Sequence, residues 1–402
     1  MPFVPSAQST TTATEALDVI LRQAIKGHAS DIHFECHPRG LVVRFRIDGL
    51  LRFHTPPHPS IKDAVLSRLK VLAGMDIAEK RLPQDGRFEY QRPNHTVDVR
   101  VSSLPTTHGE KLVVRLLHYA QERLSLSALG YTERDQSLLE QALQKPHGLI
   151  LMTGPTGSGK TLSLYSCLDL LNTPQRNIST VEDPVEIHLA GINQVQINER
   201  AGLTFATSLR ALLRQDPDVL MVGEIRDKET AEIAIQAAQT GHLVLSTLHT
   251  NDAPSSLTRL RHMGVATFNS AASVILITAQ RLVRCLCPAC KAPLSDEQFQ
   301  TWQRLLTPDD LAVLSGHQVA SVRPYRAVGC AACHQGYKGR TGLFQVMPVS
   351  PAMQSLIIQN QDTQVFSQQA SREGTLTLRQ AGWGKVLEGI TSIEEVTAMT
   401  HP

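Results

Sequence analysis

The run GLILMTGPTGSGKTLSLY, residues 148–165, does most to limit what this chain can fold into. GLILM reads as a buried strand, and Leu162, Tyr165 and Leu168 have the spacing of a helix face. Between them stands the full G-x-x-x-x-G-K-T pattern: Gly154, Pro155, Thr156, Gly157, Ser158, Gly159, Lys160 and Thr161. Glycines there let backbone N–H groups turn inward onto a β-phosphate, and the following helix adds its positive N-terminal end. Lys160 is placed to reach β- and γ-oxygens, and the Thr161 hydroxyl suits Mg²⁺. Strand, loop and helix together predict nucleotide binding. Kinases, helicases, switches and motors all use such a cradle, so other residues must select among them.

Two further apolar segments, VLMVG (219–223) and LVLSTL (243–248), alternate with helical stretches. Continuous apolar strands between helices predict a mainly parallel sheet covered on both faces. VLMVGE ends in Glu224, a carboxylate suited to holding metal-bound water at a strand end. TVEDPVEIH crowds Glu182, Asp183 and Glu186 after the β-type run ISTV, at the edge where a parallel sheet keeps its ligands. One of these acids is expected to orient an attacking water. His242 and His249 flank LVLSTL and suggest a sensor of the γ-phosphate.

The N-terminal part has another rhythm. Leu17, Ile20, Leu21, Ala24 and Ile25 mark an amphipathic helix closed by Gly27. DIHFE and LVVRFRIDG alternate as half-buried antiparallel strands with a turn at Asp48-Gly49. A helix over about 61–72 and strands near Phe88, over 97–101 and over 111–116 complete a small α+β domain. The expected organisation is a flexible tail (1–14), an α+β domain (15–118), a linker (119–130) and an α/β domain (131–402). The last includes a cysteine-bearing insert (285–340) and a helical tail, and there is no internal repeat.

In that insert, Cys287-Pro-Ala-Cys290 and Cys330-Ala-Ala-Cys333 form two C-x2-C knuckles separated by 39 residues. Four thiolates of this kind predict a closed, structural zinc site. The long excursion DEQFQTWQRLLTPDDLAVL between them reads as helical. Cys285 is left out of the ligand set, and Cys36 and Cys167 are expected to be packing residues.

Composition narrows the classes further. The chain has 402 residues, 39 basic and 37 acidic side chains and only 4% aromatics, a poor footprint for a nucleic-acid-dependent motor. No apolar run approaches the ~20 residues needed to span a bilayer, and no secretory leader is evident. A cytoplasmic chain with at most peripheral membrane contact is expected.

Taken together, ASDIHFE with VRFRIDG, RLPQDGRF, RVSSLPTTHGEKLVVRLL, GPTGSGKT, TVEDPVE, LRQDPDVLMVGEIRD, TGHLVLSTLHTND and the paired CxxC make the chain resemble the type II secretion and type IV pilus assembly ATPases. The resemblance runs from about residue 15 to the end. It implies a RecA-like ATPase domain preceded by a PAS-like domain, with ATP, Mg²⁺ and Zn²⁺ as cofactors. It also implies that Lys160 and Thr161 bind phosphate and metal, Glu186 activates water, Glu224 is the acid near Mg²⁺, and His242 and His249 sense the γ-phosphate. Arg87, Arg100 and Arg115 match arginines that reach the nucleotide.

Members of that family form hexameric rings and act on a polytopic inner-membrane platform protein, without nucleic acid. Retraction motors of the superfamily generally lack the cysteine module, so assembly is favoured over retraction. A nucleotide-gated switch is the other alternative. Longer members carry a further N-terminal domain, where this chain has the tail MPFVPSAQSTTTAT, so recruitment through other surfaces and a pilus or competence system are expected.

Overall fold

The computed structural model describes residues 12–38, 40–56, 58–91, 96–117, 125–304, 306–314 and 323–400. Most of the expected tail and linker lies outside them. The chain divides into two compact units, 1–120 and 121–402.

Unit 1 contains α1 (Ala13–Lys26), β1 (Asp31–His37), β2 (Gly40–Ile47), β3 (Leu50–His54), α2 (Lys62–Leu72), β4 (Gln84–Gln91), β5 (Thr96–Thr106) and β6 (Gly109–Leu117). The helix begins inside the expected tail because Thr12 and Glu15 form a capping box that satisfies its first N–H groups. The six strands make one antiparallel sheet in the order β3-β2-β1-β6-β5-β4. Alternation sends Ile32, Phe34, Val43, Val99, Val101, Leu112 and Val114 into a core shared with α1 and α2. The opposite face is polar.

Unit 2 opens with α3 (Leu126–Leu129) and α4 (Glu133–Leu143). The expected linker therefore ends in a helical turn, held because Leu126 is buried and Ser125 caps it. Next come β7 (Gly148–Thr153), α5 (Lys160–Leu171), β8 (Ile178–Glu182), β9 (Asn193–Gln196), α6 (Phe205–Leu212), β10 (Val219–Val222), α7 (Lys228–Gln239), β11 (Leu243–Leu248), α8 (Ala253–His262), α9 (Thr267–Ser273) and β12 (Val274–Leu286). The insert holds β13 (Ala292–Pro293), α10 (Asp296–Gln303), α11 (Pro308–Leu314) and β14 (Tyr325–Arg326). Finally β15 (Tyr337–Pro348) leads to α12 (Pro351–Ile358), α13 (Thr363–Arg372), α14 (Leu378–Leu387) and α15 (Ile393–Met399).

Seven strands build the sheet β15-β12-β7-β11-β10-β8-β9, parallel except at the β12–β15 pair. In β7, Leu149 and Leu151 face one core layer and Ile150 and Met152 the other. All four are fully buried, each worth ~1.5–3 kcal/mol. That double burial is why GLILM reads as a continuous apolar run. It also leaves polar chemistry to the strand ends.

Candidate nucleotide-binding site

β7 ends at Thr153 and the chain turns at Gly154, φ +148°. A Cβ there would lie 2.5 Å from the Gln280 carbonyl oxygen and 2.6 Å from Ser158 Oγ, so only glycine lets the loop pass this close to β12. Gly159, φ +90°, caps α5 with no side-chain partner, so the first N–H groups of that helix stay available to an anion. Lys160 is buried, with Nζ donating to the carbonyls of Gly154 at 2.9 Å and Pro155 at 3.1 Å. Burial, and to a lesser degree the Arg281 charge, lower its pKa, while the Glu224 charge opposes them. The residues present thus fit a phosphate: a glycine-bearing loop, a helix start without a side-chain cap and a cation held on the loop's carbonyls.

Strand order carries the other groups to the same edge. β11 lies beside β7, its end Leu248 level with Thr153, and β10 lies beside β11, its end Val222 level with Ser246. Glu224 follows β10, and its Oε2 lies 3.3 Å from His249 Nε2, just past β11. Arg226 forms an ion pair with the other Glu224 oxygen. Burial pushes the Glu224 carboxyl up, but Arg226 and His249 outweigh it and hold the pKa below its usual value. Of the acidic cluster after β8, Glu182 is buried and fully engaged: Tyr165 donates to one oxygen, and Thr180 and Gln194 to the other. Asp183 is exposed and Glu186 half-buried.

His242 lies apart from this group within unit 2. It precedes β11, and its carbonyl accepts the N–H of Gly148 at the start of β7. The six-residue strand β11 separates it from His249 by ~20 Å. Its ring Nδ1 lies 3.0 Å from the Ala237 carbonyl instead. A cavity of about 310 Å³, lined by Arg210, Glu229 and Glu232 among others, also adjoins His242 at that far edge. Within unit 2, His249 joins the loop and His242 does not.

Arg87, Arg100 and Arg115 stand side by side in unit 1, in register across β4, β5 and β6. The row continues through Asp31 and Arg46. Arg115 Nε donates to Asp31 Oδ1 at 3.1 Å, and Arg46 Nε lies 3.6 Å from Oδ2. Arg87 and Arg115 are exposed and Arg100 half-buried, all on the polar face.

Several supporting residues were not singled out from sequence. Gln280 Nε2 donates to the Ser158 carbonyl at 2.8 Å, and its Oε1 accepts from Ser163 at 2.9 Å, bracing loop against helix. Arg281 donates to the Asn251 carbonyl at 3.0 Å and so holds the loop that carries His249. Thr153 Oγ1 accepts from the Thr250 N–H at 3.0 Å, tying that loop to the start of the phosphate loop. A polar side chain inside the apolar strand β12 is the signal that could have found Gln280.

At the insert, Cys287, Cys290, Cys330 and Cys333 place their sulfurs within 4.8 Å of one another, and Cys285 is not in that group. The Cys287–Cys330, Cys290–Cys333 and Cys330–Cys333 distances are 3.9, 3.7 and 3.6 Å. A tetrahedral ion with four thiolates ~2.3 Å away needs sulfurs ~3.8 Å apart, so the cluster fits a metal. Cys36 and Cys167 are buried, as expected of packing residues.

Fold and phosphate loop define the class: a RecA-like P-loop ATPase domain. The family model for type II/IV secretion system proteins matches residues 6–398, and the chain belongs to that family. Among its relatives, the type IV pilus assembly ATPase PilB of Acinetobacter baylyi is 49% identical over 385 residues, 96% of this chain and 66% of that one. The type II secretion system protein E of Pseudomonas aeruginosa is 49% identical over 386 residues, 96% of this chain and 75% of that one. The chain thus spans about two thirds to three quarters of these relatives' lengths. Among solved structures, Legionella pneumophila ATPase DotB superposes with a TM-score of 0.70 at 20% identity, covering 98% of this chain and 97% of that one, a likeness of fold. The pilus retraction motor PilT with bound ADP gives 0.63 at 25% identity, covering 96% and 97%.

Proposed function

We propose that this chain is an ATP-hydrolysing motor that powers assembly of type IV pilus or type II secretion pseudopilus subunits. The observation that carries this reading is the meeting of Lys160, Glu224 and His249 at one edge of the unit 2 sheet, around a loop shaped for phosphate. Lys160 and the α5 N-terminus hold the β- and γ-phosphates. Thr161 and Glu224 hold Mg²⁺, which supplies charge neutralisation on the triphosphate. Glu186 accepts the proton of the attacking water, and His249, beside Glu224, reports the γ-phosphate. Arg87, Arg100 and Arg115 add positive charge to the nucleotide, the role that the matching arginines of the family imply.

The four cysteines hold a structural Zn²⁺ that closes the insert. The working form is a homo-hexamer bound to a polytopic inner-membrane platform protein, at the cytoplasmic side. Relatives named for secretion and pilus assembly, together with the cysteine module, favour assembly over retraction. The test is nucleotide binding and MgATP turnover by the purified chain and by Lys160→Ala. The reading expects wild-type turnover and its loss in the variant; equal turnover in both overturns it.

A further inference from the structure

A single buried hydroxyl joins three elements of unit 2. Tyr165 lies in α5, five residues and ~7.5 Å along the helix from Lys160. It is fully buried, and its Oη donates to Glu182 Oε2 at the end of β8. The Tyr165 hydroxyl oxygen also accepts from the backbone N–H groups of Glu186 at 3.2 Å and Ile187 at 3.4 Å. Glu182 Oε1 is occupied by Thr180 Oγ1 at 2.6 Å and Gln194 Nε2 at 3.1 Å. From β9, Gln194 also donates to the Ile187 carbonyl at 2.8 Å and accepts from the Leu189 N–H at 2.8 Å. The stretch 186–189 is therefore hydrogen-bonded on one side to the helix that follows the phosphate loop, and on the other to the edge strand.

We propose that Tyr165 is a positioning residue that sets Glu186 against the phosphate loop, with Glu182 as the acceptor that orients the Tyr165 hydroxyl. The proposal rests on the reading of Glu186 as the group that activates water. Glu182 has both oxygens committed inside the protein, so it is not available as a base. Burial and the neighbouring Glu182 charge push the phenol far above its ordinary pKa, so the hydroxyl stays a donor to Glu182 at every working pH. Because Tyr165 and Lys160 share one helix, any displacement of the α5 N-terminus by a bound phosphate is carried to the Glu186 backbone.

Tyr165→Phe tests this, because it keeps the ring and removes only the hydroxyl. The proposal expects kcat for MgATP to fall about 10- to 100-fold while nucleotide Kd stays within about threefold, since the loss falls on alignment of Glu186 and not on phosphate binding. It also expects faster amide hydrogen exchange in the peptide spanning 183–189. Should Tyr165→Phe fail to fold, Glu182→Gln keeps size and one acceptor oxygen, and a smaller effect of the same pattern is expected. A kcat within about twofold of wild type, or unchanged exchange in 183–189, overturns the proposal. If wild type itself turned over no ATP, the hydrolysis reading would fall, and the exchange comparison would still decide whether Tyr165 positions Glu186.

Discussion

The two sheets carry their charges in opposite ways. In unit 2 the strands are apolar on both faces, and Lys160, Glu224 and His249 cluster where strands end. In unit 1 one face is apolar and the other bears a ladder of charge: Arg87, Arg100, Arg115, Asp31 and Arg46 in one row, with Glu35 tied to Arg44 and Lys111. The lesson is one of division. A parallel sheet buried on both sides concentrates chemistry at one edge and can build a nucleotide site alone. An antiparallel sheet with one wet face spreads cations over a surface, which suits a body that offers charge to something else.

The strongest way to break that comparison is to remove the cations of unit 1. Arg100→Ala and Arg115→Ala are expected to cut MgATP turnover by ~10³-fold or more, with little loss of nucleotide affinity, as for an arginine acting on developing charge. If affinity and turnover fall together, these arginines bind the ground state instead.

Next in size is the four-cysteine cluster. Trp302 of α10 and Trp383 of α14, the chain's two tryptophans, lie 6.2 Å apart edge to face, with Phe299, Val386 and Val396 around them. The insert thus packs on the C-terminal helices. Cys330→Ser or chelation should release about one zinc per chain and red-shift the tryptophan emission. Emission that stays fixed while metal is lost would separate the insert from that core.

A smaller effect is expected inside unit 1. Lys70 and Glu110 form a buried ion pair at 2.8 Å, and Lys70 also donates to the Glu79 carbonyl. Glu110→Ala leaves a buried ammonium without its counterion and should destabilise unit 1 by ~3–5 kcal/mol, seen as hydrogen exchange rising there before unit 2.

Smallest is the acid response of the polar face. Burial pushes the Glu35 carboxyl up, but Arg44 and Lys111 hold it at about 2, below its ordinary 4.5. A depressed pKa means the stabilisation is complete above pH 4.5 and is lost as pH falls toward 2. Glu35→Gln should therefore flatten the acid unfolding of unit 1 over that window, and an unchanged acid profile would count against the pairing.

Much of this was legible in the sequence because it rests on local pattern. GLILM, VLMV and LVLSTL announce buried strands, and the phosphate loop and two knuckles are contiguous. What local pattern could not supply was the direction along a strand. His242 and His249 flank one strand and look equivalent on paper, yet a parallel sheet keeps only one end at the phosphate loop. Nor does sequence tell which carboxyl is committed inside the protein: that Tyr165, Thr180 and Gln194 fold around Glu182 shows only in three dimensions. The helix start at Thr12 was within reach, since T-x-x-E is a capping signal.

The central claim is that the edge of unit 2 cleaves a nucleotide with Glu186 as the base. Its most direct test is single-turnover cleavage of MgATP by the purified chain and by Glu186→Gln. The account predicts that both bind ATP with similar affinity and that the variant retains it uncleaved, its rate lower by about 10²-fold or more. Cleavage at the wild-type rate by Glu186→Gln would contradict it.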